Sequence, residues 1–122
     1  MNLERDKVYM EHILECIDKI NNYTGKDRAR FMGNEFVQDA VLRRLQIMAE
    51  STQRLSDDLK ATALDIDWRA LSGFRNILVH DYLDGIDLYR VWDAIENNLP
   101  DLQREIASIY SCLLYTSDAA DE

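Results

Sequence analysis

A chain of 122 residues, 47% hydrophobic and 30% charged, with four Gly and one Pro, is about one folded domain with a single core. Its formal charge of −9 is the wrong sign for indiscriminate nucleic-acid binding, and no apolar run approaches the roughly 18 residues that a bilayer span needs. The two cysteines, Cys16 and Cys112, are too few and too poorly accompanied by His for a disulfide framework or a zinc site, and the charged start Met1 to Lys7 lacks the apolar centre of a signal peptide. A cytoplasmic protein with no membrane association is expected.

The first element runs from Leu3 to Tyr23. Met10, Ile13, Ile17 and Ile20 recur at helical spacing, Tyr9, Cys16 and Tyr23 widen the stripe, and Gly25 ends it, which predicts an amphipathic helix with Cys16 in the core. Thr24 to Gly33 reads as a flexible basic loop. Its Lys26, Arg28 and Arg30, with the pair Arg43 and Arg44, are the candidates for a local basic lining if the partner is a nucleic acid, and are otherwise a solvated surface. Asn34 is a suitable N-cap for a second helix carrying Val37, Val41, Leu45, Met48, Thr52 and Leu55, and Ser56-Asp57-Asp58 can cap a further short turn. Asp67 caps a third helix with the stripe Trp68, Leu71, Phe74 and Leu78, ending near His80 to Tyr82, before Gly85. Asp87 offers another cap. Beyond it Leu88, Val91, Trp92, Ile95, Leu99, Leu102, Ile106 and Ile109 hold one phase through Pro100, predicting a single kinked helix rather than two.

Nowhere do apolar and polar residues alternate over a strand's length, so the fold class is all-α: an antiparallel bundle of four principal helices with one or two short extra turns. The last eleven residues, Cys112 to Glu122, look like an in-frame translation of a transposase-based sequencing adapter. The expected organisation is a helical domain over 1–111 and a non-native tail over 112–122. Without the tail's Asp118, Asp121 and Glu122 the charge is −9 + 3 = −6, still acidic.

Arg75-Asn76-Ile77-Leu78-Val79-His80-Asp81-Tyr82 places a fixed cation, an imidazole and a phenol inside an apolar run. At about 100° per residue Arg75 falls on the side shared by Trp68, Leu71, Leu78 and Val79, where a guanidinium needs a partner, a phosphate or a second subunit. Arg75 and His80 are five apart and diverge by about 140° on a continuous helix. Either the helix unwinds before His80, or a symmetric dimer completes the site with the same pair from each subunit. Asn76, four before His80, can orient its ring, and Tyr82 shares the face of Arg75.

These residues suit metal-independent RNA cleavage. An imidazole, whose ordinary pKa is about 6.5, can move the 2′-hydroxyl proton, and a pre-positioned guanidinium can neutralise the charge that builds on phosphorus. Asn76 would position His80 or a phosphate oxygen. Tyr82 could touch the substrate or serve as a regulatory handle. The plainer alternative is a structural salt bridge between Arg75 and Asp81 or Asp84, with His80 near helix carbonyls. No metal-loop spacing is present; Asp65, Asp67, Asp84 and Asp87 read as caps and turn residues, and no cofactor motif is found.

The stretch R-N-I-L-V-H-D-Y resembles the R-x4-H-x-Y motif of the HEPN domains, specifically the HepT-type toxins, with Arg75, His80 and Tyr82 in the named positions. Gln38-Asp39-Ala40-Val41, Asp67-Trp68-Arg69, Val91-Trp92 and Asn98-Leu99-Pro100 extend the likeness over roughly Leu3 to Ile109, while Ala49-Glu50-Ser51 departs from the family's more usual Gly-Glu-Ala. The resemblance implies an all-helical homodimer with two motifs facing a shared cleft, an RNA substrate and ribonuclease activity without a metal. It also implies an MntA-like nucleotidyltransferase antitoxin that silences the toxin by attaching AMP to Tyr82, as in type VII toxin–antitoxin systems. The competing expectation is a catalytically inactive helical module that binds such a nucleotidyltransferase.

Overall fold

The computed structural model describes residues 3–63, 65–69, 71, 75, 78, 85 and 87–121. Among these, α1 (Leu3–Thr24) and α3 (Glu35–Arg54) are joined through the short α2 (Arg28–Gly33), and α4 (Asp57–Thr62) follows α3. Trp68, Arg69, Leu71, Arg75 and Leu78 are helical, and α5 (Leu88–Asn97) and α6 (Leu99–Asp121) complete the chain. No strand occurs among the described residues, as the absence of alternation requires.

Side-chain contacts set the directions of the long helices. Asp6, at the start of α1, holds Ser56 just after α3, and Tyr9 meets Arg54, so α1 and α3 run antiparallel. Gln103 bonds Asp18, and Tyr110 donates to Glu11 at 2.6 Å, so α6 runs antiparallel to α1 on another side. Helix α1 is therefore central, and its stripe of Met10, Ile13, Cys16, Ile17 and Ile20 is fully or almost fully buried. Val41, Leu45 and Met48 meet it from α3, and Ile106 belongs to the same cluster. Burying each such side chain contributes about 1.5–3 kcal/mol, which is the main reason these weakly helical stripes hold.

The caps fall where the residue types direct. The side chain of Asn34 accepts from the Val37 N–H at 3.2 Å, Ser56 from Leu59 at 3.2 Å, and Asp87 from Tyr89 at 3.0 Å. Each such cap contributes about 1 kcal/mol. Gly25 ends α1 with φ +61°, a left-handed conformation that costs glycine little.

Two expectations are corrected. Thr24 to Gly33 is not a loop throughout: Asp27 accepts from the Ala29 N–H at 3.0 Å and starts α2, which buries Phe31 completely. Phe31 stacks on Trp92 with ring centroids 5.5 Å apart, so a long-range partner orders a segment whose local sequence is polar. The last long stretch is two helices, not one kinked helix. Pro100 has no N–H to give the Glu96 carbonyl, so α5 closes at Asn97, while the proline's fixed φ suits the first turn of α6. Asn98 stays near helical geometry (φ −101°, ψ −35°), and its N–H reaches the Ala94 carbonyl at 2.9 Å. The break therefore keeps the phase, and Trp92, Ile95, Leu99, Leu102 and Ile106 form one buried stripe across it. Past Ile106 the described side chains of α6 are at most partly buried.

Candidate active site

The segment that carries Arg75 is anchored at its start. The Ile66 N–H reaches the Ala63 carbonyl at 3.2 Å, and the Trp68 indole Nε1 donates to the carbonyls of Lys60 and Ala63, both at 3.2 Å. The same two carbonyls also accept the Ala63 and Ile66 N–H groups, so the indole adds a second donor to the end of α4 and ties the start of the next helix to it. The Lys60 ammonium lies 5.9 Å from the Trp68 ring centroid, and the Leu71 N–H reaches the Asp67 carbonyl at 3.2 Å, opening the helical turns.

Leu71, Arg75 and Leu78 follow at four- and three-residue steps and so share a face. Leu78 is buried in the core, and Trp68 and Leu71 pack against it partly buried. Arg75 lies on this same face, half-buried, with its Nε buried and without a hydrogen-bond partner. A buried donor left unpaired costs about 1–3 kcal/mol, so this guanidinium sits in a place that the fold does not reward. Oxygen acceptors of opposite charge, such as phosphate, are what a planar guanidinium binds best. Asn76, His80 and Tyr82 lie outside the described residues, as do Phe74, Val79, Asp81 and Asp84.

Beside the start of this segment is a shallow depression of about 170 Å³, whose lining includes Asp65, Ile66, Asp67, Leu71 and Asp101. Its carboxylates disfavour a phosphate strand, and Asp101 is engaged in an ion pair with Arg104. No group of His, Cys, Asp or Glu among the described residues is arranged to hold a metal ion.

The basic candidates divide. Arg44 on α3 is taken up by the chain itself: its hydrogen bond with Tyr23 holds the guanidinium more strongly protonated than usual. Arg43 reaches Gln46 at 3.4 Å. Lys26, Arg28 and Arg30 are exposed, with Arg28 poised over the Tyr89 ring at 5.6 Å. Cys16 is a core residue, as expected, and burial pushes its thiol pKa up.

One important residue was not visible as such in the sequence. Asp6 is 1% exposed, accepting from the Ser56 N–H at 2.9 Å and from the Ser56 hydroxyl at 2.7 Å. The available signal was its position four residues before Met10, which puts a carboxylate in line with the apolar stripe.

The described residues form an all-α bundle with Arg75 on the helix face that Leu78 buries, and sequence comparison identifies the family. The model of the family described as Ribonuclease HepT-like matches residues 13–109, and the chain belongs to this family of HepT-type HEPN proteins. A gamma-glutamylcyclotransferase and candidate RNase of Methanocaldococcus jannaschii is 36% identical over 105 residues, which are 84% of this chain and 46% of that relative's length. The chain thus spans less than half of that relative. A candidate RNase of the same organism is 29% identical over 101 residues (82% of this chain, 92% of the relative). A candidate ribonuclease HepT of Thermococcus cleftensis is 31% identical over 98 residues (80% and 88%). No solved structure matches the chain. Among the described residues no helix is long and apolar enough to cross a membrane.

Proposed function

We propose that this protein is a HepT-type endoribonuclease, the toxin of a toxin–antitoxin pair, with Arg75 and His80 as catalytic residues. The observation that supports it best is Arg75: a half-buried guanidinium on an apolar helix face, its Nε unpartnered, in a chain of the HepT-like family. In this reading the substrate's 2′-hydroxyl gives its proton to His80 and attacks the adjacent phosphorus. The P–O5′ bond breaks, and the leaving oxygen takes up a proton, yielding a 2′,3′-cyclic phosphate and a 5′-hydroxyl. Arg75 would neutralise the phosphorane-like transition state through its planar fork of donors. Asn76 orients His80. A continuous helix would set residues five apart about 140° away from one another, so in this reading two protomers each supply the pair to a common cleft.

Purified protein is expected to cut RNA to these end groups in the presence of chelator. Arg75→Ala and His80→Ala are each expected to reduce cleavage by a factor of about 100 or more, with far-ultraviolet circular dichroism unchanged. Variants that cut at the original rate would overturn the assignment, and protein that leaves RNA intact yet co-elutes with a nucleotidyltransferase would mark an inactive binding module. Tyr82 is the proposed site of silencing. Co-expression with an MntA-like nucleotidyltransferase should add AMP to the Tyr82 peptide by mass spectrometry, whereas a silenced protein of unchanged mass would show inhibition by binding alone.

A further inference from the structure

A second site is suggested on another side of α1. A cavity of about 380 Å³ opens between α1, the α1–α2 connection, α5 and α6, within the roughly 300–1,000 Å³ typical of small-ligand sites. Its apolar wall is Ile17, Trp92, Ile95 and Leu99, and its cations are Lys26 and Arg28. On a chain of net charge −9, this rim carries two cations to a single carboxylate, Glu96. Neither Lys26 nor Arg28 has an ion-pair partner among the described residues.

One feature of the wall is left unexplained by folding. Trp92 is 5% exposed, and its indole Nε1 is buried without a hydrogen-bond partner, although buried indole N–H groups usually find one. Lys26 is the only described non-glycine residue with positive φ, at +57°. That conformation belongs to the turn between α1 and α2, where the Lys26 N–H reaches the Thr24 hydroxyl oxygen at 3.2 Å, and it carries the lysine to the mouth of the cavity.

We propose that this cavity binds one nucleotide unit, its base inward against the apolar wall and its phosphate on Lys26 and Arg28. A flat ring suits the wall, and Arg28, which lines the cavity, already packs its guanidinium over the Tyr89 ring, the contact such a group also makes with a base. Asn21, Glu96 and Gln103 offer donors and acceptors together, which the edge of a base satisfies and a fatty acyl chain would leave unpaired. The unit can come from a free nucleotide or from an RNA strand, and the proposal stands apart from catalysis by Arg75.

The test uses the full chain carrying Arg75→Ala, so that no cleavage is needed for a signal, and calorimetric titration with AMP, adenosine, ribose 5-phosphate and a short single-stranded oligoadenylate. AMP is expected to bind more tightly than adenosine or ribose 5-phosphate. The double variant Lys26→Gly, Arg28→Ala is expected to weaken AMP at least about tenfold, since removing even one charge-assisted hydrogen bond has an effect of that order. Glycine suits the left-handed backbone at position 26, so this variant should melt no lower than its parent and a folding defect would not imitate the result. Oligoadenylate binding with the same sensitivity to the double variant assigns the cavity to the RNA strand; AMP binding without it assigns a free nucleotide. The proposal is overturned if AMP does not bind, if ribose 5-phosphate binds equally well, or if the double variant binds AMP as its parent does. None of these results bears on whether wild-type protein cuts RNA, so failure here and failure of the nuclease reading are separable.

Discussion

Asp6 and Arg75 are two ionic side chains drawn into the apolar interior, and their surroundings differ in kind. Asp6, at the start of α1, has both carboxylate oxygens bonded by Ser56, whose hydroxyl in turn caps α4. The charge is satisfied within the chain, and it ties three helices together. Arg75, on the motif segment, keeps a buried Nε with nothing to donate to. A buried charge that serves the fold carries its partners with it, as Asp6 does, and the Arg75 Nε does not.

The sharpest way to break this contrast is to remove each group and measure stability. Asp6→Ala strips two hydrogen bonds to a charged acceptor and strands the Ser56 donors, so urea unfolding should show a loss of about 3 kcal/mol. A loss under about 0.5 kcal/mol, the size of an ordinary surface substitution, would mean that Asp6 is incidental. Arg75→Met keeps the length and apolar stem but removes the unpaired donor. It is expected to leave stability unchanged or raise it by about 1 kcal/mol while abolishing RNA cleavage, a stability–activity opposition typical of functional sites. A clear destabilisation by Arg75→Met would show that the arginine is structural.

A smaller effect sharpens the comparison within the core of α1. Burial raises the Cys16 thiol pKa from its ordinary 9.0, so the native state holds its proton more tightly than the unfolded chain. The stability this gives is fully present below about pH 9 and is lost as pH rises through the folded-state value. At pH 8 a maleimide should therefore label exposed Cys112 and leave Cys16 untouched until denaturant is added. Rapid native labelling of Cys16 would show that α1 opens locally.

Much of this was legible in the order of residues. The stripes of α1 and α3, the caps at Asn34, Ser56 and Asp87, and the placement of Arg75 beside Leu71 and Leu78 follow from a 3.6-residue period and from side chains that accept hydrogen bonds at helix starts. The helical order of α2 was not legible, because Phe31 and Met32 are a short apolar pair with no stripe of their own, and Phe31 gains its meaning only from Trp92, 61 positions on. The division at Asn98 was hidden for the opposite reason: the apolar phase runs through it, and phase reports which face is buried, not whether the backbone is continuous.

The sequence alone determined the helical class and the main cap residues, since these depend on near neighbours and on residue chemistry. Only the tertiary structure decided that Asp6 is partnered, that the Arg75 Nε is not, and that Lys26 and Arg28 border a cavity walled by Trp92. Those outcomes depend on which distant groups arrive within hydrogen-bonding or packing distance, and no local pattern records that.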